Sequence, residues 1–273
     1  MLQQAGYQTA AATGDRVESL KAEWNSAVDS LRKVTDPARP SQANVIGIVN
    51  DAGGPRDVVV CAAGSMPGDL MKLWRPLDAK SYHVEYGFSC MGYEIAGGLG
   101  VKMADPEREV FVMVGDGSYL LMSSEIVTAI QEGVKLIIVV VDNHGYQSIH
   151  GLQRASGSPS FGNELRFRNP ETGLLDGEPV PIDFAANAAS LGAVALSART
   201  ADELRTALAQ AKRETTTTVI QVRLDNEARV PSFESWWDVP IAEVSGDPDV
   251  RAARAEYVSD RANERYFTAS ETE

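Results

Sequence analysis

Short runs made almost wholly of apolar residues recur through the middle of the chain, each followed by a turn and then a helically spaced stretch. Val58–Ala63, Glu109–Val114 and Leu136–Val141 offer almost no polar position to turn toward water, the mark of strands buried on both faces. Ala193–Ser197 and Thr217–Val222 read as two further strands. The segments Asp69–Leu73, Tyr93–Met103, Ser123–Glu132, Asp183–Leu191 and Asp202–Arg213 read as helices. Buried strands alternating with helices predict an α/β fold with a doubly wound, mostly parallel sheet and helices on both faces.

The two ends behave differently. Val17, Leu20, Trp24, Val28 and Leu31 recur at helical spacing behind Asp15, a candidate cap, and Pro37 and Pro40 stop that helix. Residues 1–36 are too few for a domain and read as a helical appendage or the remnant of a preceding domain. Ser41 is placed to cap a second helix carrying Val45, Ile46, Ile48 and Val49, and residues 37–244 make the main domain. Within it, residues 146–182 are rich in Gly, Pro, Asn and Arg. Connections of that length are usually lids or partner-facing loops. Residues 245–273 form a charged tail, with a helix expected over Pro248–Arg265.

Composition narrows the function classes. Of 273 residues, 44% are hydrophobic and 23% charged, ample for a core, which excludes a disordered tail or a disulfide scaffold. The formal net charge of −13 repels phosphate backbones, and no basic patch offsets it, so nucleic acid is not an expected partner. Cys61 and Cys90 lack a CxxC spacing and read as reduced thiols. No apolar run reaches a membrane span, and the start lacks a basic region followed by an apolar one. A soluble, cytoplasmic chain is expected.

In an open parallel sheet, ligands bind beyond the carboxyl ends of the strands. Three strands end in distinctive residues: Gly64-Ser65, Gly115-Asp116-Gly117-Ser118 and Asp142-Asn143-His144-Gly145. Glycines let backbone approach a phosphate, and a following helix N-terminus offers free N–H groups. Asp116 would repel a bare phosphate, but a hard divalent cation between them reconciles the two, and Mg2+ suits protein oxygens shared with phosphates. Asn143 supplies a second oxygen and a glycine two positions on can turn a carbonyl inward as a third. Each element alone is ordinary turn chemistry; their joint occurrence at strand–helix junctions points to a site.

This arrangement resembles the thiamine diphosphate motif, Gly-Asp-Gly followed by Asn-Asn. The resemblance implies that Asp116, Asn143 and the Gly145 carbonyl hold Mg2+ against the cofactor diphosphate. Ser118, Gly115, Gly117 and the backbone at Gly64 and Ser65 would surround the phosphates. Asp142 stands where the motif has its first Asn, while the metal-binding second Asn is retained as Asn143. Upstream, Gly87–Gly92 is similar to the Gly-x-Gly-Thr-Met-Gly segment of acetohydroxyacid synthase-like enzymes. By that likeness Met91 wedges the two cofactor rings apart and Ser89 lends its carbonyl to the aminopyrimidine.

Longer runs narrow the resemblance. The run YHVEYGFSCMGYEIAGGLG at 82–100, Asp142–Gly145, AANAASLG at 185–192 and WWDVP at 236–240 resemble the trihydroxycyclohexane-1,2-dione hydrolase family of inositol breakdown. It implies opening of a cyclic 1,2-dione by water to 5-deoxyglucuronate. His83 and His144 are the first acid/base candidates, with Glu85 and His150 behind them, since histidine exchanges protons near neutral pH. Each could equally be a hydrogen-bonded structural group. Arg154, Arg166 and Arg168 read as solvated or partner-facing, and Trp236-Trp237 as a packing anchor.

The family pairs this diphosphate-binding half with a pyrimidine-binding domain whose Glu activates the cofactor. No Gly-rich βαβ pattern before residue 57 could house that Glu, so a truncation or a separate subunit is expected. A homo-oligomer is expected too, through an exposed interface around residues 83–95. Two other readings stay open: another thiamine diphosphate enzyme, such as a 2-oxo acid decarboxylase or acetolactate synthase-like ligase, or a non-catalytic cofactor-binding subunit.

Overall fold

A computed structural model describes residues 11–159, 161–233 and 238–264. The Trp236-Trp237 pair, the polar start before residue 11 and Arg265 onward lie outside the described residues. Six strands form one sheet in the order β2-β1-β3-β4-β6-β5. They are β1 Val58–Cys61, β2 Tyr82–Val84, β3 Val110–Gly115, β4 Ile137–Asp142, β5 Val194–Ala198 and β6 Thr218–Arg223. Every pairing is parallel, with Val112 between Val60 and Ile138.

The all-apolar runs are explained by two cores, one on each face. Val58, Val60, Val110, Val112, Val114, Ile138 and Val140 pack toward α4 (Tyr93–Ala104), α6 (Glu125–Gln131) and α8 (Phe184–Ser190). Val59, Cys61, Phe111, Met113, Ile137, Val139 and Ile220 pack toward α2 (Gln42–Ala52), α3 (Met66–Leu73) and α9 (Ala201–Arg213). A fully buried Val or Ile contributes roughly 1.5–3 kcal/mol over exposure, so neither face of β1, β3 or β4 tolerates a polar side chain. The connection leaving β1 runs to α3 on one face, and that leaving β3 runs to α5 (Asp116–Met122) and α6 on the other. The chain thus parts between the carboxyl ends of β1 and β3, where such sheets bind ligands.

Local signals fix the helix ends. Ser41 forms a capping box with Asn44, with Asn44 N–H donating to Ser41 Oγ at 3.2 Å and Ser41 N–H to Asn44 Oδ1 at 3.0 Å. The Asn44 amide also donates to the Leu31 and Lys33 carbonyls, closing the end of α1 (Ala11–Arg32). Asp183 and Thr200 cap α8 and α9. Along α1, Val28 is buried while Val17, Leu20 and Trp24 stay exposed.

Several elements differ from the sequence reading. Helix α1 starts at Ala11, so Asp15 lies inside it rather than capping it; alanines are strong enough helix formers to carry the helix past Gly14. The helix expected over Ser123–Glu132 is preceded by a separate one, α5, which begins directly at Asp116. Strand β2 pairs only with β1, at the sheet edge. The connection 146–182 holds α7 (Gln147–Ala155), and its remainder is pinned by bridges between Gly145 and Glu164 and between Arg166 and Pro179. The tail carries α10 (Pro248–Arg261), and no helix among the described residues is long and apolar enough to cross a membrane.

Candidate cofactor and metal site

The carboxyl ends of β1, β3 and β4 enclose a cavity of about 410 Å³, within the range of small-molecule sites. Gly64, Ser65, Ser89, Met91, Gly115, Gly117, Ser118, Asn143 and Gly145 all line it. The fold therefore brings the expected cofactor-binding residues together from four separate stretches of chain. Tyr86, Tyr146, Ser148 and Ile149 line it as well and were missed by sequence reasoning. Tyr86 lies in the quoted run at 82–100 but was given no role, and only the approach of α7 to the strand ends brings the last three in.

Asp116, between the cavity-lining Gly115 and Gly117, is fully buried and itself borders a neighbouring cavity that Asp142 and His144 also line. Its Oδ1 accepts from Gly117 N–H at 2.7 Å and its Oδ2 from Gly145 N–H at 2.9 Å. Burial, and then the charge of Asp142, push its carboxyl up to about 7, against the pull of those backbone donors. A buried carboxylate in this position calls for a positive partner. One terminal atom of the Asn143 amide stands 3.2 Å from Asp116 Oδ1 and 2.9 Å from the Gly145 carbonyl oxygen. With nitrogen there, the amide donates to both; with oxygen there, three oxygens converge. Adjacent ligands of an octahedral Mg2+ at 2.0–2.1 Å are about 2.9–3.0 Å apart, close to the 3.2 and 2.9 Å that separate the amide atom from the other two oxygens. Gly145 has φ +131, a region that only glycine occupies without strain, and this turns its carbonyl inward.

Asp142 stands apart from that trio. Its Oδ2 accepts from Gln221 at 3.0 Å and its Oδ1 faces His144 Nδ1 at 3.4 Å. Asp142, where the motif has its first Asn, thus takes no part in the contacts among Asp116, Asn143 and Gly145.

The phosphate-side residues divide into two kinds. Gly64, Gly115 and Gly117 present backbone to the cavity, and Ser65 Oγ is held by Gln42 Nε2 at 3.2 Å. Gln42 also donates to Asp69 at 2.6 Å, a carboxyl that burial pushes up to about 6. The Ser118 hydroxyl is turned away from the cavity into a buried network around Glu94. The backbone of Ser118 is what remains to face the cavity. Ser89 has φ +52, uncommon for a residue with a Cβ, and Met91 stands at the cavity rim, 38% exposed.

The acid/base candidates are not brought to the cavity. His83 stacks on Tyr93 with its Nε2 2.7 Å from the Tyr93 hydroxyl, out on the edge strand. His144, with φ +60, faces the β6 side, its Nε2 2.9 Å from Arg223 Nη2. The Glu85 carboxylate accepts from the Phe88 and Cys90 N–H groups, which hold it below the usual carboxylate range and shape the 85–90 loop. His150 is buried in α7 with Nδ1 unpartnered. The three loop arginines brace the chain: Arg154 pairs with Glu227, Arg166 with Glu164 and Gly177, and Arg168 with the Gly173 carbonyl.

Residues 62–222 match the family described as thiamine pyrophosphate enzyme, C-terminal TPP binding domain. Thiamine pyrophosphate is the same compound as thiamine diphosphate. Among curated proteins, the chain is 44% identical over 243 residues to 3D-(3,5/4)-trihydroxycyclohexane-1,2-dione hydrolase 1 of Bacillus cereus, covering 89% of this chain and 37% of that one. It is also 44% identical over 227 residues to 3D-(3,5/4)-trihydroxycyclohexane-1,2-dione hydrolase of Bacillus anthracis, covering 83% and 35%. The chain spans little more than a third of the length of these relatives. Among solved structures, the thiamine diphosphate-dependent 4-hydroxybenzoylformate decarboxylase of Rhodococcus jostii superposes with a TM-score of 0.58 at 23% identity, over 70% of this chain and 34% of that one, a likeness of fold. With its matched segment running from the end of β1 into β6 and holding every cavity-lining residue but Gln42, the chain belongs to the thiamine pyrophosphate enzyme family and carries its C-terminal cofactor-binding domain.

Proposed function

We propose that this chain is the diphosphate-binding half of a Mg2+-dependent thiamine diphosphate enzyme that hydrolyses a C–C bond of a trihydroxycyclohexane-1,2-dione to give 5-deoxyglucuronate. The observation that carries the substrate reading is 44% identity along 89% of the chain to a hydrolase named for that dione. The cavity supports the cofactor reading independently, since it gathers the predicted residues around a trio of oxygens spaced for Mg2+.

In this reading Asp116, Asn143 and the Gly145 carbonyl hold the metal. Backbone at Gly64, Ser65, Gly115, Gly117 and Ser118 surrounds the diphosphate, where free N–H groups favour anionic oxygen. Met91 and Ser89 meet the rings at the rim. When bound, the cofactor supplies the electron sink for the C–C bond that breaks. The apolar rim of Tyr86, Met91 and Ile149, once covered by a partner, would keep water from that end of the site.

We assign the activating Glu to a pyrimidine-binding domain outside this chain, either elsewhere in a longer protein or in a second subunit. The rim supports a partner there: Phe88 is 91% exposed, with Leu121, Tyr86 and Ile149 half exposed beside it. A homo-oligomer built through this surface is part of the proposal, as are residues 1–36 as the end of a preceding domain and 245–273 as a separate tail. The free thiols Cys61 and Cys90 support a cytoplasmic setting.

The deciding experiment is calorimetric titration of thiamine diphosphate into the chain with and without Mg2+, repeated on Asp116→Ala. Binding that needs Mg2+ and disappears in the variant is expected. Binding that is indifferent to both would sink the metal assignment. Dione hydrolysis is expected only when the companion domain is added, and pyruvate turnover in place of dione would move the enzyme to the decarboxylase or ligase class.

A further inference from the structure

We infer that Glu94 is a positioning residue that sets the ring-binding segment Ser89–Met91 against the diphosphate floor. The inference rests on the reading of the cavity as a thiamine diphosphate site and deepens it.

Glu94 sits in the first turn of α4 with no exposed surface. Its Oε1 accepts from Ala63 N–H at 3.1 Å and from the Ser118 hydroxyl at 2.9 Å. Its Oε2 accepts from Gly92 N–H at 3.0 Å and lies 2.8 Å from the same hydroxyl. Ser118 Oγ in turn accepts from Gly92 N–H at 2.7 Å. Ala63 precedes Gly64-Ser65, Gly92 follows Met91, and Ser118 closes Gly115-Asp116-Gly117. One carboxylate therefore ties together three cavity walls that leave three different strands.

The position has no need of a charge for packing. Its helix neighbours Ile95 and Leu99 belong to the apolar core, and a buried carboxylate costs more than a buried leucine unless its acceptors are used. Here both oxygens are used, each by a backbone N–H from a different loop. An amide cannot do this: in either orientation a Gln at 94 turns its NH2 toward the Ala63 or the Gly92 N–H, leaving donor against donor. On the Gly92 side the N–H also reaches Ser118 Oγ at 2.7 Å, so there the carboxylate and the hydroxyl hold the turn together. Gly92 has φ +92, and a Cβ there would stand 2.7 Å from Met122 Cβ, so the link between Met91 and α4 is already a constrained turn. Glu94 holds that turn in place, and through it the placement of Ser89 and Met91.

The test compares wild type, E94Q and S118A in the full chain by two readouts. Without cofactor, hydrogen exchange at residues 62–64 and 88–93 is expected to rise at least about tenfold in E94Q, the scale of losing a hydrogen bond to a charged group. Amides of β3 and β4 should be unchanged. Unchanged exchange, or uniform acceleration across the sheet, overturns the proposal. The second readout is affinity for Mg2+–pyrophosphate against Mg2+–thiamine diphosphate. E94Q is expected to keep its pyrophosphate affinity and to lose about tenfold or more for the full cofactor, because only the latter needs Ser89 and Met91. Equal losses for both ligands mark a merely structural role and overturn it. S118A keeps both backbone partners of Glu94 and removes the hydroxyl between them, so a smaller split in the same direction is expected. If E94Q does not fold, an absent split in S118A overturns the proposal. A wild type that binds neither ligand sinks the cofactor reading itself, whereas a wild type that binds both, with the ratio unmoved in E94Q, sinks only the role of Glu94.

Discussion

Replacing Gly145 by alanine probes a proposed metal ligand that no side-chain mutation can reach. An added Cβ would stand 2.4 Å from the Asn163 carbonyl oxygen, 3.0 Å from Glu164 Cα and 3.2 Å from Leu165 N. That wall cannot retreat freely, because Tyr146 N–H donates to Asn163 O at 2.7 Å and Leu165 N–H to His144 O at 3.0 Å. The backbone at φ +131 adds about 1–3 kcal/mol of strain for a residue with a Cβ, and overpacking adds about 1–3 kcal/mol more. A total near 3 kcal/mol is expected. Gly133→Ala is the matched control, with φ +64 and nothing within 4 Å of the new Cβ, and should cost only about 1 kcal/mol. With a urea dependence of about 3 kcal/mol per molar, the midpoint should fall by about 1 M for Gly145→Ala and about 0.3 M for the control. Under conditions where both are folded, Gly145→Ala should lose Mg2+-dependent binding of thiamine diphosphate and Gly133→Ala should keep it. Coincident midpoints and equal binding in the two variants would refute the argument that this glycine shapes the site.

Two further outcomes follow from particular groups. The Asp69 carboxyl is pushed up to about 6 by burial, above its ordinary 3.8. The folded state therefore binds the proton more tightly than the unfolded one, and this group's contribution to stability is greatest below about pH 4 and declines as pH rises to about 6. Asp69→Asn should remove that slope and match or exceed wild type at pH 7 by about 1–2 kcal/mol, allowing for screening at a partly exposed site; a wild-type stability with no dependence on Asp69 between pH 4 and 7 would contradict this. His144→Ala should leave cofactor affinity within about twofold, because the imidazole faces Arg223 and not the cavity, and calorimetry showing a tenfold loss would contradict its placement.

How much of this was legible depended on how local each signal was. The run Ile137–Val141 announces a strand buried on both faces because none of its own residues is polar, and Ser41 with Asn44 announces a helix start because both partners lie within one turn. Strand β2 did not show, since three residues of mixed character become a strand only by pairing with β1. Helix α7 was hidden for a similar reason: Gly151 and its polar neighbours make a poor intrinsic helix. At the site, Asp116, Asn143 and Gly145 were readable from glycines and carboxamide at strand ends. The direction of His144 was not, because it hangs on a left-handed backbone that sequence does not advertise. Glu94 could have been noticed as the one acid in the run YEIAGGLG. Its task could not, since its three partners meet only in the folded chain.

The amide of Asn143 would give the proposed metal site two arrangements, one empty and one loaded. With nitrogen inward it satisfies Asp116 and the Gly145 carbonyl by hydrogen bonds; with oxygen inward it joins them as a ligand. Loading a cation is then a half-turn about one side-chain bond rather than a folding event. Chelators should strip the ion without unfolding the chain, unlike domains whose metal supplies their folding energy. The two hydrogen bonds released on loading, about 2–3 kcal/mol together, set a toll of about 30–150-fold on affinity for the bare ion. The diphosphate offsets that toll by adding its own oxygens, so ion and cofactor should enter as one unit and leave as one.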